Sequence, residues 1–222
     1  MTPALIAALH GTRSAAGAAT SAALLARVRS MRPSLEVVPA YLDVQEPRLP
    51  SVLGSRPDPA VVVPVLLSGG YHVVDDIPST AASSPLVRVA RHLGPDPAIT
   101  GVLVERLSAY AADTIALVGS PSTRSSARAD LVGAAVLLAA VLGRPVRPFT
   151  VDASLTSALN ALPGRLAVAT YLLGEGFFYD TLRAAAAGAR AVAVTEPLGA
   201  HPAIANLILQ RYDGALASHD PA

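Results

Sequence analysis

Residues 61–78, VVVPVLLSGGYHVVDDIP, decide how the chain is read. A β-branched apolar run that stops at two glycines is a buried strand feeding a tight turn. His72 stands just beyond that turn, and Asp75 and Asp76 precede Ile77-Pro78. An acidic residue ahead of an apolar residue and a proline is a helix-start signature, so both aspartates are read as N-caps.

The same succession of strand, turn and helix recurs on either side. Strands are predicted near 3–9, 35–42, 61–67 and 86–91, with helices near 15–31, 76–83 and 97–111. In the second half, strands are predicted near 114–119, 146–151, 165–173 and 190–195, and helices near 125–142, 154–161, 176–188 and 201–217. Alternating strands and helices define an α/β chain with parallel sheets. The halves also resemble each other: LIAALHGTRSAAGAATSAALLARV sets against IALVGSPSTRSSARADLVGAAVLLAAV, and VVVPVLLSGGYHVV against LAVATYLLGEGFFYD. The expected architecture is therefore two similar flavodoxin-like domains, 1–112 and 113–222, each a four-stranded parallel sheet flanked by helices and arising from internal duplication. The second copy lacks the histidines. Gly119 or Ser120 stands where His10 was, and Phe178 where His72 was.

Composition removes whole classes of chemistry. With 222 residues, 52% of them hydrophobic and 15% charged, the chain can bury a full core. A formal net charge of +1 and 4% aromatic content without tryptophan give neither the basic field nor the stacking platforms of a nucleic-acid binder, nor any attraction to an anionic membrane. There is no cysteine, which excludes thiolate metal sites, iron–sulfur clusters and cysteine nucleophiles. All 17 basic residues are arginine; without lysine there is no Walker A phosphate site and no Schiff base. The N-terminal apolar run has no basic flank and breaks at His10, and the apolar stretch 131–143 is shorter than the roughly 20 residues that span a bilayer. A cytoplasmic protein is expected.

In a doubly wound sheet, ligands collect at the carboxyl ends of the strands. His10 ends the first predicted strand, Asp43 follows the second and His72 the third, each about one strand–helix–strand repeat of roughly 30 residues from the next. With strand order 2-1-3 they stand on neighbouring strands about 4.8 Å apart. Two imidazoles and a carboxylate on an open rim suit a first-row divalent metal. Gly11, Gly69 and Gly70 allow tight turns and close approach of a flat ligand. His92 and His219 have no supporting context.

The motifs ALHGTRS, YLDVQEPRLPSVL and VVVPVLLSGGYHVVDDIP, with LVGSPSTRSSARADL, LAVATYLLGEGFFYDTL and EPLGAHPAIANLILQRY in the second half, resemble the CbiX-type sirohydrochlorin chelatases, class II chelatases, in their two-domain form. The resemblance covers nearly the whole chain. It implies ATP-independent insertion of ferrous or cobaltous ion into sirohydrochlorin, in sirohaem or cobalamin biosynthesis. His10 and His72 would be the catalytic, metal-handling histidines, with His10 also the proton acceptor. The family's glutamate position is filled here by Asp43, and SPSTRSSARAD lacks the acidic start common in the family. Substrate contacts are then expected from Arg13, Glu46, Ser68, Gly69, Gly70, Tyr71, Arg124, Arg128 and His201. The arginines would meet the macrocycle's carboxylates, and His201 is also read as a helix start.

Chemistry agrees with that implication, since metallating a tetrapyrrole removes two pyrrole protons and needs a base that titrates near neutrality. No permanently bound cofactor is expected; iron, cobalt or nickel is substrate, because the same ligands accept all three. The partners expected are the tetrapyrrole and the metal, and the protein is expected to be a monomer, with a homodimer as the alternative. A competing reading is a non-enzymatic protein that binds or delivers metal or tetrapyrrole with the same residues. Phosphoryl transfer through histidine is disfavoured, because Leu9 precedes the His-Gly pair where such phosphatases carry arginine.

Overall fold

The computed structural model describes residues 2–56 and 58–218; His219 lies outside them. The first sheet contains β1 (Ala4–Leu9), β2 (Val37–Tyr41), β3 (Ala60–Pro64) and β4 (Val87–Val89), all parallel in the order β2-β1-β3-β4. The second contains β5 (Thr114–Gly119), β6 (Val146–Thr150), β7 (Leu166–Tyr171) and β8 (Ala193–Val194), in the equivalent order β6-β5-β7-β8. The expected α/β architecture of two helix-flanked parallel sheets is what the chain forms. The helices are α1 (Ala15–Met31), α2 (Leu49–Gly54), α3 (Ile77–Ala81), α4 (Pro97–Leu107), α5 (Ser125–Leu142), α6 (Leu155–Asn160), α7 (Phe177–Gly188) and α8 (Pro202–Ala217).

Both central strands are buried on both faces, and the alternation of side chains sorts them between two cores. Leu5, Ala7 and Leu9 of β1, with Ile115 and Leu117 of β5, enter one cluster shared by both sheets. Ala4, Ile6 and Ala8 pack outward against α2 and α3 through Leu49, Val52 and Ile77, while Ala116 and Val118 pack against α6 and α7 through Leu155 and Leu182. The inner helices are therefore common property. Although α8 closes the second half, it packs on α1 and β3 of the first; α4 of the first half packs on α5 and β7 of the second. Tyr212 of α8 donates its hydroxyl to the Pro3 carbonyl (2.5 Å), and Arg32 forms a two-pronged ion pair with Asp213 (2.6 and 2.7 Å). In the opposite direction, Arg106 of α4 donates to the carbonyls of Glu196, Pro197 and Leu198. By length and composition α5 could cross a membrane. Its buried side, however, sends Leu131, Ala134, Ala135 and Leu138 into the shared core.

Three local features depart from the sequence expectation. Helix α2 is not anticipated, because six residues are too few to display a helical period, although Pro50 suits its first turn. The edge strands β4 and β8 are only three and two residues long. Helix α3 is entered through a π-helical turn, His72–Asp76, that continues into Ile77 without interruption. Asp76 itself has helical angles (φ −72°, ψ −52°) and makes no capping hydrogen bond, so the N-cap reading of Asp75 and Asp76 does not hold. A cap requires extended backbone at the start of a helix, and here the helix has already begun.

Candidate active site

His10 follows the central strand β1, flanked by extensions of both neighbours: Asp43 N–H donates to the His10 carbonyl (2.8 Å) and Val65 N–H to that of Ala8 (2.8 Å). Next to it, Gly11 has φ +92°, and a β-carbon there would collide with the carbonyl oxygen of Asp43. Only glycine fits this turn. Thr12 N–H donates to Gln45 Oε1 (2.8 Å), tying the His10 loop to the loop after β2.

His72 arrives from β3 through the 68–71 turn. Its ring stands edge-on to that of His10, with centroids 5.0 Å apart and planes at 89°. The expectation that topology gathers these two histidines is met. Their hydrogen bonds determine what they can offer. His72 Nδ1 lies 2.9 Å from Asp76 Oδ2, and His10 Nδ1 lies 3.2 Å from the Gly11 carbonyl. An ionised carboxylate and a carbonyl only accept, so each Nδ1 must carry the proton and donate it. In a neutral imidazole so arranged Nε2 carries the lone pair, and in both rings it has no hydrogen-bond partner among the described residues. Asp76 Oδ2 accepts from His72 Nδ1 and so fixes the orientation of the His72 ring.

Asp43 is not drawn into this pair. Its Oδ1 accepts from Val44 N–H (2.8 Å) and lies 3.6 Å from Arg48 Nη1, on a side chain that is half exposed. Among the described residues, no group of three or more His, Asp or Glu side chains is arranged to hold a metal ion. Of the three residues expected to share a metal, His10 and His72 meet, whereas Asp43 stands beside His10 through the backbone with its carboxylate turned to Arg48. The short aspartate side chain folds back on its own loop.

Of the other expected contacts, Arg13 is exposed and makes no ion pair among the described residues. Glu46 accepts from Arg48 N–H (2.8 Å), and Ser68 accepts Gly70 N–H through its carbonyl (2.9 Å). Tyr71 is exposed, 5.8 Å from the His72 ring. Arg124 is engaged at short range with Asp75 (2.6 Å), and its guanidinium lies over Tyr71 at 5.8 Å. Arg128 donates to the Thr123 carbonyl. His201 caps α8, accepting Ala203 N–H on Nδ1 (3.1 Å), and turns Nε2 toward Glu105 (3.3 Å). Its helix-start role is met; its partners belong to α4 and α8 rather than to the histidine pair.

Sequence reasoning missed Asp76, Gln45, His92 and Asp130. His92 Nε2 lies 3.0 Å from Asp130 Oδ2 across the two halves, and Asp130 also accepts Gly69 N–H (2.7 Å). Nearby, the buried Tyr171 hydroxyl donates to the Leu67 carbonyl (3.3 Å), and burial pushes its phenol well above the usual value. Only the i to i+4 spacing of His72 and Asp76 was a signal available beforehand.

Two imidazoles thus meet at the carboxyl edge of a parallel sheet, one of them backed by a carboxylate. The CbiX family model matches residues 4–110, the half that carries both histidines. Over its full length the chain is similar in fold to the sirohydrochlorin chelatase SirB from Bacillus subtilis subspecies spizizenii in complex with cobalt, with a TM-score of 0.82 and 22% identity over 99% of this chain and 97% of that one. SirB from Bacillus subtilis with Fe3+ gives a TM-score of 0.79 at 22% identity, over 98% and 97% of the two chains. CbiX, the terminal enzyme for biosynthesis of siroheme in denitrifying bacteria, gives 0.69 at 22% identity, over 96% and 99%. No curated protein sequence matches the chain.

Proposed function

We propose that the protein inserts a divalent metal, ferrous or cobaltous ion, into sirohydrochlorin without ATP, with His10 and His72 handling the metal and His10 accepting pyrrole protons. The observation that carries this reading is the His10–His72 pair, with both Nδ1 atoms engaged and both Nε2 atoms left to act. The match of residues 4–110 to the CbiX family model and the metal-bound chelatases of the same fold support it.

Two nitrogen ligands hold a first-row ion loosely and leave positions for water and for the incoming macrocycle, which is what a transferring site requires. An imidazole is also the side chain whose ordinary titration range suits removal of pyrrole protons at neutral pH. In this scheme Asp43 adds negative charge beside His10 and could swing from Arg48 toward a bound cation. Arg13 is free to meet a substrate carboxylate, whereas Arg124 must first leave Asp75.

The test is an anaerobic absorbance assay of sirohydrochlorin with ferrous, cobaltous and nickel ions. The expected result is insertion above the uncatalysed rate for ferrous or cobaltous ion. No acceleration with any of the three ions rules the proposal out. Tight metal binding without acceleration would identify a binding or delivery protein instead.

A further inference from the structure

The turn that presents His72 is held by the half of the molecule that has no catalytic histidines. Gly69 N–H donates to Asp130 Oδ2 (2.7 Å), and the Gly69 carbonyl accepts the hydroxyl of Ser126. Both polar groups of this one residue are therefore taken by the first turns of α5. The next step leads directly to the histidine, because Val73 N–H and Val74 N–H, the two residues that follow His72 in the π-turn, both donate to the Gly70 carbonyl (3.1 Å each). We propose that Asp130 is the positioning residue for His72, fixing from the second half, through Gly69, the turn that aims His72 at His10.

Asp130 is a costly choice for mere adhesion. Its side chain is 22% exposed and that of its partner His92 16%. A carboxylate so far removed from water is retained when its oxygens are matched by donors, and here Gly69 N–H and His92 Nε2 converge on one oxygen. The pseudo-symmetric contact provides an internal control. Where α1 meets the loop after β7, the side chains nearest Gly174 and Gly176 are Thr20, Ser14 and Thr12, all uncharged. That loop carries Phe178 in place of histidine. Of these two equivalent contacts, the one that presents a histidine has a carboxylate reaching over from the facing helix, and the other has neutral side chains there.

The inference rests on the metal-handling role proposed for His72, so its test reads Co2+ binding by absorbance titration beside the kcat and KM of metal insertion. Asp130→Ala is expected to lower kcat and Co2+ affinity about 10- to 100-fold, the usual effect of removing an outer-sphere partner, with KM for the tetrapyrrole within about 2-fold. Asp130→Asn, whose amide oxygen can still accept Gly69 N–H, is expected to stay within about 3-fold of wild type. Should Asp130→Ala fail to fold, Ser126→Ala removes only the hydroxyl bond to the Gly69 carbonyl and is expected to cost about 3-fold or more in kcat. Wild-type kcat and Co2+ affinity in Asp130→Ala or, where that variant does not fold, in Ser126→Ala would overturn the proposal, as would Asp130→Asn as impaired as Asp130→Ala. A wild type that binds Co2+ through His10 and His72 but inserts no metal would overturn the chelatase reading alone, leaving Co2+ affinity to decide the role of Asp130. A wild type that does not bind Co2+ would overturn both.

Discussion

The turns after β3 and after β7 occupy equivalent places in two sheets of identical strand order, yet the first presents His72 and the second Phe178. Both are glycine-containing, both open a helix, and both are packed against the start of a helix from the other half. Their common parts are those the fold needs: the buried strand, the glycines and the helix that follows. Their differences are chemical. The first turn has a histidine, a carboxylate four residues on and a charged anchor from α5; the second has an aromatic side chain and neutral packing. The proposed function puts the chemistry in one half, with the other half as its support.

This contrast can be broken experimentally, and the largest effect should come from the histidines. His10→Ala or His72→Ala is expected to lower the insertion rate by roughly 10²- to 10⁴-fold, the range for loss of a positioned acid–base group, while thermal midpoints stay close to wild type because the second half folds without either residue. A midpoint that collapses in both variants would assign the histidines to the fold instead.

Asp76 should come next. Asp76→Ala is expected to reduce kcat about 10- to 100-fold by releasing the His72 tautomer, with Asp76→Asn intermediate, because a neutral amide can still accept from Nδ1. Steady-state kinetics on the two variants checks this order. Gly11→Ala forces a side chain into a left-handed position and against the Asp43 carbonyl. A loss of at least about 1–3 kcal/mol is expected in urea unfolding. The second half has Pro121 at the matching position and makes no such demand.

Much of this was legible beforehand, for identifiable reasons. The strand order repeated in two sheets and the meeting of His10 with His72 follow from period, spacing and the rule that ligands gather at strand carboxyl ends. Asp75 and Asp76 were misread because Asp-Asp-Ile-Pro is locally a helix start, while the π-turn already under way at His72 is a tertiary outcome. The exchange of α4 and α8 between sheets, and the reach of Asp130 to Gly69, join residues far apart in the chain. No local pattern encodes them.

Smaller effects probe the support rather than the site. Arg32 beside Asp213 holds that carboxyl below its usual range, tying α8 of the second half to α1 of the first. A depressed carboxyl contributes stability above its unfolded value, near pH 4, and loses it as pH falls through the folded value. Asp213→Asn is expected to cost about 0.2–1 kcal/mol at neutral pH, as exposed pairs do, and less at pH 2. Comparing unfolding midpoints of wild type and variant at the two pH values tests the sign. The smallest effect is expected from Phe178→His, which places an imidazole in the second turn without a partner histidine or an outer carboxylate. Metal stoichiometry and insertion rate should not change; a second bound metal would show that the turn alone makes the site.

The central claim is that His10 and His72 act as one unit, and a double-variant cycle tests it most directly. Insertion rates would be measured anaerobically for wild type, His10→Ala, His72→Ala and the double variant. The expected result is three variants with nearly the same low rate, since removing either member disables the pair. Losses that multiply in the double variant, or either single variant at the wild-type rate, would contradict it.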